Sequence, residues 1–214
     1  MPSSGGPTET EVRRSRRSGL GADSEVTCSP SSKSRRETAW KEDPLTTSDQ
    51  VDVARSVATR AHGGQRDKIG APYIEHPAMV ASFVQALPDF AALDERTQSD
   101  AVAAAWLHDV LEDTDETVES LRAAGISGPA ISAVITLTRT AAVTGDDYYA
   151  GIATLPVARL VKTADLANNL APERVAQLDQ HTRARLARKY AHALEVLGVD
   201  RSVITALHEG RSVQ

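Results

Sequence analysis

The 214-residue sequence has one cysteine, Cys28, which excludes both an internal disulfide framework and a cysteine-built metal site. No apolar run reaches the roughly 18–20 residues that a membrane span requires. Arg13, Arg14, Arg16 and Arg17 near the N-terminus are not followed by an apolar stretch, so neither a secretory nor a twin-arginine leader is expected. A cytoplasmic location is the simplest expectation. There is no sustained alternation of period two and no internal repeat, which argues against β and solenoid architectures. Excess basic charge is also lacking. The formal net charge is -5, so no nucleic-acid partner is expected for the molecule as a whole, although a local basic pocket remains open. What remains, 41% hydrophobic and 25% charged residues, is the composition of a soluble globular protein with a full core.

Residues 1–46 are rich in Ser, Pro, Gly and Arg and poor in large apolar side chains. Such a segment buries too little surface to offset its ordering entropy, so a disordered tail is expected there. An arginine-rich arm docking on an acidic partner is the sharper alternative. Residues 47–209 are expected to form one domain, with 210–214 a short C-terminal tail. Val51, Ala54, Val57, Ala58 and Ala61 recur at helical spacing behind the candidate caps Thr47 and Ser48. Further helices are expected over Met79–Leu87, Ala101–Asp113, Val118–Ala124, Pro129–Leu137, Pro156–Leu170, Glu173–Leu197 and Val199–Leu207. The predicted fold is an all-α bundle of about eight helices.

One stretch stands out. Residues 106–114 read WLHDVLEDT and follow a nearly apolar run, AVAAA. On a helical wheel, His108, Asp109, Glu112 and Asp113 gather on one side while Ala104, Leu107, Val110 and Leu111 gather on the other. The polar groups arise abruptly where a buried segment ends. Three carboxylates at a helix C-terminus oppose the macrodipole if they are merely solvated. A bound cation removes that cost.

Two other stretches supply possible partners. Residues 61–77 form a glycine-rich loop, AHGGQRDKIGAPYIEHP, ending at His76. Residues 161–169, VKTADLANN, interrupt an apolar helix with Asp165 and place Asn169 one turn later. His76, His108, Asp109 and Asp165 together offer two neutral nitrogens and two carboxylates, which would neutralise a dication. These donors suit Mn²⁺, Fe²⁺ or Zn²⁺ better than Ca²⁺. His62 reads as a hydrogen-bonding residue of its own loop. His181, His192 and His208 read as surface residues, and Arg183, Arg185, Arg188 and Lys189 as a solvated helix face. Lys162 reads either as a partner for Asp165 or as a phosphate contact.

The three motifs in this order resemble the metal-dependent HD-domain phosphohydrolases. In particular, they are similar to the hydrolase domain of the RelA/SpoT family and to the small alarmone hydrolases, over about residues 50–197. The resemblance implies an HD-domain helical bundle. It implies His76, His108, Asp109 and Asp165 as ligands of a metal, usually Mn²⁺, and Glu112 and Asp113 as the catalytic pair that positions and activates water. It implies Lys68, Tyr73 and Asn169 near the guanosine end of a nucleotide pocket. The implied reaction is loss of the 3′-pyrophosphate from guanosine tetra- or pentaphosphate, without a synthetase domain in this chain. Two positions depart from the pattern: Asp67 stands where an arginine commonly packs on the guanine, and Pro172 where a threonine often meets the base. Those departures keep a second reading open, the same chemistry on another nucleotide or phosphorylated metabolite. A third reading is a catalytically silent module that binds metal or nucleotide.

Overall fold

The computed structural model describes residues 47–67, 70–143 and 145–211, and the regular elements among them are all α-helices. They are α1 (Thr47–Ala61), α2 (Glu75–Ala86), α3 (Pro88–Ala91), α4 (Glu95–Leu107), α5 (Val110–Asp113), α6 (Val118–Ala123), α7 (Gly128–Leu137), α8 (Gly145–Ala153), α9 (Pro156–Asn169), α10 (Pro172–Val175), α11 (Gln180–Val196) and α12 (Arg201–Arg211). The tail expected over residues 1–46 lies outside the described residues, as does Lys68.

The bundle is built around α4 and α9. Helix α4 starts at Asp94, whose carboxylate accepts the Thr97 N–H at 3.0 Å and so satisfies a donor of the first turn. Its Ala101, Ala103, Ala104 and Ala105 are fully buried. A helix with so little side-chain volume lets neighbours close in on several sides, and α1, α2, α7 and α9 all pack on it. Helix α9 opens with Pro156 in its first turn, where no amide hydrogen is missed, and is buried from Leu160 through Asn168. Side chains from α1, α2, α4, α7, α8, α9, α11 and α12 share one hydrophobic core.

A polar knot crosses that core. The Gln50 side-chain amide donates to Ser99 Oγ (3.1 Å) and Asp100 Oδ1 (3.0 Å), while its carbonyl accepts the Ser127 N–H (2.8 Å). Ser127 Oγ also donates to Asp100 Oδ1 at 2.5 Å and caps α7 by accepting the Ala130 N–H. With partners on every side, these buried groups fix the register of α1, α4 and α7.

Several helix boundaries differ from the sequence expectation. The helix expected over 101–113 begins earlier, at Glu95, and breaks at His108–Asp109 into α4 and α5. The segment expected to be helical over 173–197 is two helices, α10 and α11, with Asp179 capping the second through the Thr182 N–H. Helices α3 and α8 were not anticipated. A single turn such as α3 shows no periodicity, and α8 buries the adjacent residues Tyr148 and Tyr149, which breaks the helical spacing. The last helix runs through Arg211.

Candidate active site

The break between α4 and α5 makes the site. Neighbouring residues on a continuous helix point about 100° apart and do not meet. Here Asp109 sits at the edge of the helical region (φ -106°, ψ -5°), and its carboxylate turns back onto the preceding residue. Asp109 Oδ2 lies 2.9 Å from His108 Nε2 and 3.4 Å from His76 Nε2. His108 Nε2 and His76 Nε2 are 3.2 Å apart. His108 Nδ1 donates to the Ala105 carbonyl at 2.8 Å, which turns Nε2 toward the cluster. The chain re-enters a helix at once, since the Asp109 carbonyl accepts the Asp113 N–H (2.9 Å).

His76 comes from the first turn of α2, at the end of the glycine-rich loop. That loop closes on itself: the Asp67 N–H donates to the Ala71 carbonyl (2.9 Å) and the Tyr73 N–H to the Gln65 carbonyl (3.0 Å). Gly64 and Gly70 take the positive φ values, 80° and 85°, that such a tight return needs. Behind His76 the buried Asn168 side-chain nitrogen meets Nδ1 at 2.5 Å. Tyr73 sits over the cluster, its hydroxyl donating to Asp109 Oδ2 (2.6 Å) and Asp113 Oδ2 (3.2 Å). Burial, with the Asp109 charge next in weight, pushes the Tyr73 phenol far above its ordinary range, so it stays a donor. Tyr73 was expected near the substrate; it also braces two of the carboxylates.

Asp165 enters from α9. Its Oδ1 lies 3.4 Å from His76 Nε2 and accepts from the Asn169 amide at 2.5 Å, and its Oδ2 pairs with Lys162 Nζ at 2.7 Å. Burial works to raise the Asp165 carboxyl, but the Lys162 charge, followed by His76 and His108, holds it below its usual range. Asp109 behaves alike: burial opposes ionisation, and His108 and His76 hold it well below the carboxylate range. In return, burial alone would lower His108, yet Asp109 lifts it to about 9. These opposing shifts mark a tightly coupled set of charges.

The donor set fits a divalent metal. His76, His108 and Asp109 offer ligand atoms all within 4.8 Å of one another, and Asp165 joins them through His76. Separations of 2.9–3.4 Å between these donors match the edges of a polyhedron with metal–ligand bonds of about 2.1 Å. Two imidazoles and two carboxylates balance a charge of two.

The cluster opens into a cavity of about 430 Å³, within the size range of small-molecule sites. Glu112 and Asp113 stand exposed at its edge on α5. Glu112 Oε2 accepts the Arg139 backbone N–H at 3.0 Å, and the Asp113 carbonyl accepts from Gln65 at 3.0 Å. Arg139, Lys162, Arg185 and Lys189 line the same cavity, as do Arg66 and Arg174. Burial and then the repulsion of Arg139, Lys162 and Arg185 depress the Lys189 ammonium below its ordinary value. Four mutually repelling cations form a wall suited to a multiply charged anion. The sequence reading took Arg185 and Lys189 for a solvated face; they are exposed, but they line this cavity. Lys162 has both of its anticipated roles open, since it pairs with Asp165 and also lines the cavity. Asn169 lines it as well.

Two arginines resolve the question raised by Asp67. Arg66 is tied to its own loop, Nη1 donating to the Gly70 carbonyl at 2.6 Å. The Asp67 side chain is buried and pairs with Arg174 Nη1 of α10 at 3.2 Å. Away from the site, His62 pairs with Gln65 within its loop (2.9 Å), as expected. His181 and His192 are exposed, but His208 is not a plain surface residue. Its Nε2 meets the Ala167 carbonyl at 2.8 Å and its ring packs near Phe83.

The described elements are all α-helical, and residues 54–146, somewhat less than half of the chain, match the family model described as HD domain. Asp165 lies beyond that matched segment. Relatives narrow the comparison. The chain is 44% identical over 66 residues to the guanosine-3′,5′-bis(diphosphate) 3′-pyrophosphohydrolase of Haemophilus influenzae, covering 31% of this chain and 9% of that protein. It is 39% identical over 74 residues to the Aquifex aeolicus protein of the same name (35% and 10%). It is 40% identical over 73 residues to the GTP pyrophosphokinase of Streptomyces coelicolor (34% and 8%). The matches thus span about a tenth of the length of these relatives. In fold, the chain resembles a solved structure described as a metazoan ortholog of SpoT that hydrolyses ppGpp. The TM-score is 0.58 at 21% identity, over 77% of this chain and 97% of that one. Among the described residues, no helix is long and apolar enough to cross a membrane.

Proposed function

We propose that this chain is a metal-dependent phosphohydrolase that removes the 3′-pyrophosphate of guanosine tetra- or pentaphosphate. The observation carrying this reading is the shared cavity, which a His/Asp donor cluster, an acidic pair and several cations line together. The names of the curated relatives supply the substrate.

His76, His108, Asp109 and Asp165 are the proposed ligands, with Mn²⁺ the favoured ion. Bound there, a dication supplies polarisation of a phosphoryl oxygen and acidification of water. The chain's own residues do the rest. Glu112 is anchored through one carboxylate oxygen by the Arg139 N–H, leaving its second oxygen as acceptor for a water proton. Asp113, bridged to Asp109 by the Tyr73 hydroxyl, orients the same water. Arg139, Lys162, Arg185 and Lys189 offset the charge of the departing pyrophosphate. Asn169 and Tyr73 border the substrate, and Lys68, outside the described residues, is proposed as a further contact. The enzyme is proposed to act in the cytoplasm, on a small-molecule partner and not on nucleic acid.

A second reading, the same chemistry on a different nucleotide, is favoured by one observation. Asp67 is engaged by Arg174 and the loop arginine Arg66 by Gly70, so the base is met by a different set of groups than the resemblance implies. Incubating Mn²⁺-loaded protein with a panel of guanine and adenine nucleotides, and measuring released pyrophosphate and phosphate, separates the two. Pyrophosphate release from guanosine tetraphosphate is the expected result. No release from any nucleotide refutes both.

A further inference from the structure

We infer that Arg174, held in place by Asp67, reads the nucleobase by offering its guanidinium plane as one wall of the base subsite. The inference rests on the nucleotide reading given above and adds which residue sets base preference.

Three observations carry it. First, Arg174 lines the cavity with its side chain 28% exposed, whereas the Asp67 side chain that it pairs with is 7% exposed. The anchor is buried, and the arginine side chain is partly open beside the cavity that it lines. Second, the anchor is itself fixed, because Asp67 Oδ1 accepts the Ala71 N–H at 3.0 Å within the closed glycine loop. A guanidinium held by a rigid carboxylate loses little entropy on meeting a ligand, and its flat face stacks on an aromatic ring. Third, apolar and aromatic groups that a base can contact are at hand. Leu178, Leu186 and Tyr190 line both the cavity and an adjoining cleft of about 180 Å³, to which Pro172 and Val175, close to Arg174 on α10, contribute along with Arg183 and Arg201. The cations whose mutual repulsion calls for phosphate are another group, Arg139, Lys162, Arg185 and Lys189. Asp67 is therefore not a repulsive stand-in for a missing arginine. It directs an arginine delivered from a different helix.

A competing account makes the Asp67–Arg174 pair only a brace between the loop and α10. The test uses GDP, which lacks a 3′-pyrophosphate to lose, and inorganic pyrophosphate, which lacks a base. Titration calorimetry on the Mn²⁺-loaded full chain compares the parent with Arg174→Met and Arg174→Lys. The lysine variant keeps a cation for Asp67 but has no plane. Both variants are expected to weaken GDP binding roughly ten-fold, the scale of a desolvated cation–π contact, and to leave pyrophosphate binding within two-fold. Equal losses for GDP and pyrophosphate overturn the inference in favour of a brace or a phosphate contact. So does a lysine variant that binds GDP as the parent does, or a parent that binds no GDP. Hydrolysis of guanosine tetraphosphate, run in parallel, reports on the proposed reaction alone. A parent that binds GDP through Arg174 but releases no pyrophosphate would sink the reaction and keep this inference.

Discussion

Glu112→Gln separates chemistry from assembly, because Glu112 is bound to the protein in a way that glutamine can copy. Its carboxylate accepts the Arg139 N–H through Oε2 at 3.0 Å. A glutamine carbonyl accepts the same bond, and the side chain is exposed, so no charge is stranded in the core by the change. The cost to stability is then at most about 1 kcal/mol, the difference between a charged and a neutral acceptor in contact with water. For a domain of this size that is a melting shift of no more than about 4 °C. The donor cluster does not include Glu112, so metal occupancy should stay at the parent's level. Turnover is another matter. An amide cannot take a proton from water, and a positioned general base is worth roughly 10²-fold or more in rate, about 2.7 kcal/mol of barrier. The assay is steady-state pyrophosphate release with metal content measured on the same sample. Turnover within a few-fold of the parent at full occupancy refutes the role. Loss of metal alongside turnover refutes the assignment of Glu112 outside the ligand set.

Asp109→Ala removes the carboxylate that meets both histidines, so stoichiometric Mn²⁺ and activity should disappear together; metal retained in elemental analysis means the cluster is misplaced. Asn168→Leu leaves His76 Nδ1 without its buried partner and should weaken Mn²⁺ binding roughly 10–100-fold in a chelator competition, with Asn168→Asp retaining more affinity than leucine. In metal-free protein, Asp109 lifts His108 from 6.5 to about 9, so this pair stabilises the fold fully below pH 6.5 and loses its contribution as pH rises through about 9. Metal competes for the same nitrogen, so Mn²⁺ affinity should climb with pH across that window, and a flat profile would contradict the assignment of His108 as a ligand.

The sequence displays the donors well but not their convergence. His108, Asp109, Glu112 and Asp113 fall on one arc of a wheel, which is enough to suspect a cation. The wheel also assumes an unbroken helix, and in such a helix His108 and Asp109 diverge. The turn at Asp109 that brings them together leaves no periodic signature, since a small change of backbone at one residue looks like nothing in a leucine- and alanine-rich run. Helix existence was legible wherever an apolar stripe ran for several turns, as in α1, α7 and α9. It failed for α3, a single turn, and for α8, whose adjacent buried tyrosines break the periodicity, while the breaks that set off α5 and α10 from their neighbours left no signal.

The missed cations show a second limit. Arg185 and Lys189 lie four residues apart on α11, among mostly exposed positions, and such a charged stripe on a helix reads as solvated. Whether a charged stripe meets bulk water or another element depends on where the helix docks, and docking is set by contacts distant in sequence. Here α11 packs on α8, and its charged stripe lines the same cavity as the His/Asp cluster. The same holds for Asp67. In isolation a carboxylate beside Arg66 suggests a loop that repels phosphate. Once α10 brings Arg174 within 3.2 Å, the pair is neutral, and the positive charge lining the cavity comes from Arg66, Arg139, Lys162, Arg185 and Lys189. Lys162 is itself half-committed to Asp165. A cation at the metal cluster would relieve Asp165 of its dependence on that lysine and turn more of the ammonium's field toward the cavity. Phosphate affinity and metal occupancy should therefore be coupled through Lys162, a linkage in which each ligand tightens the other.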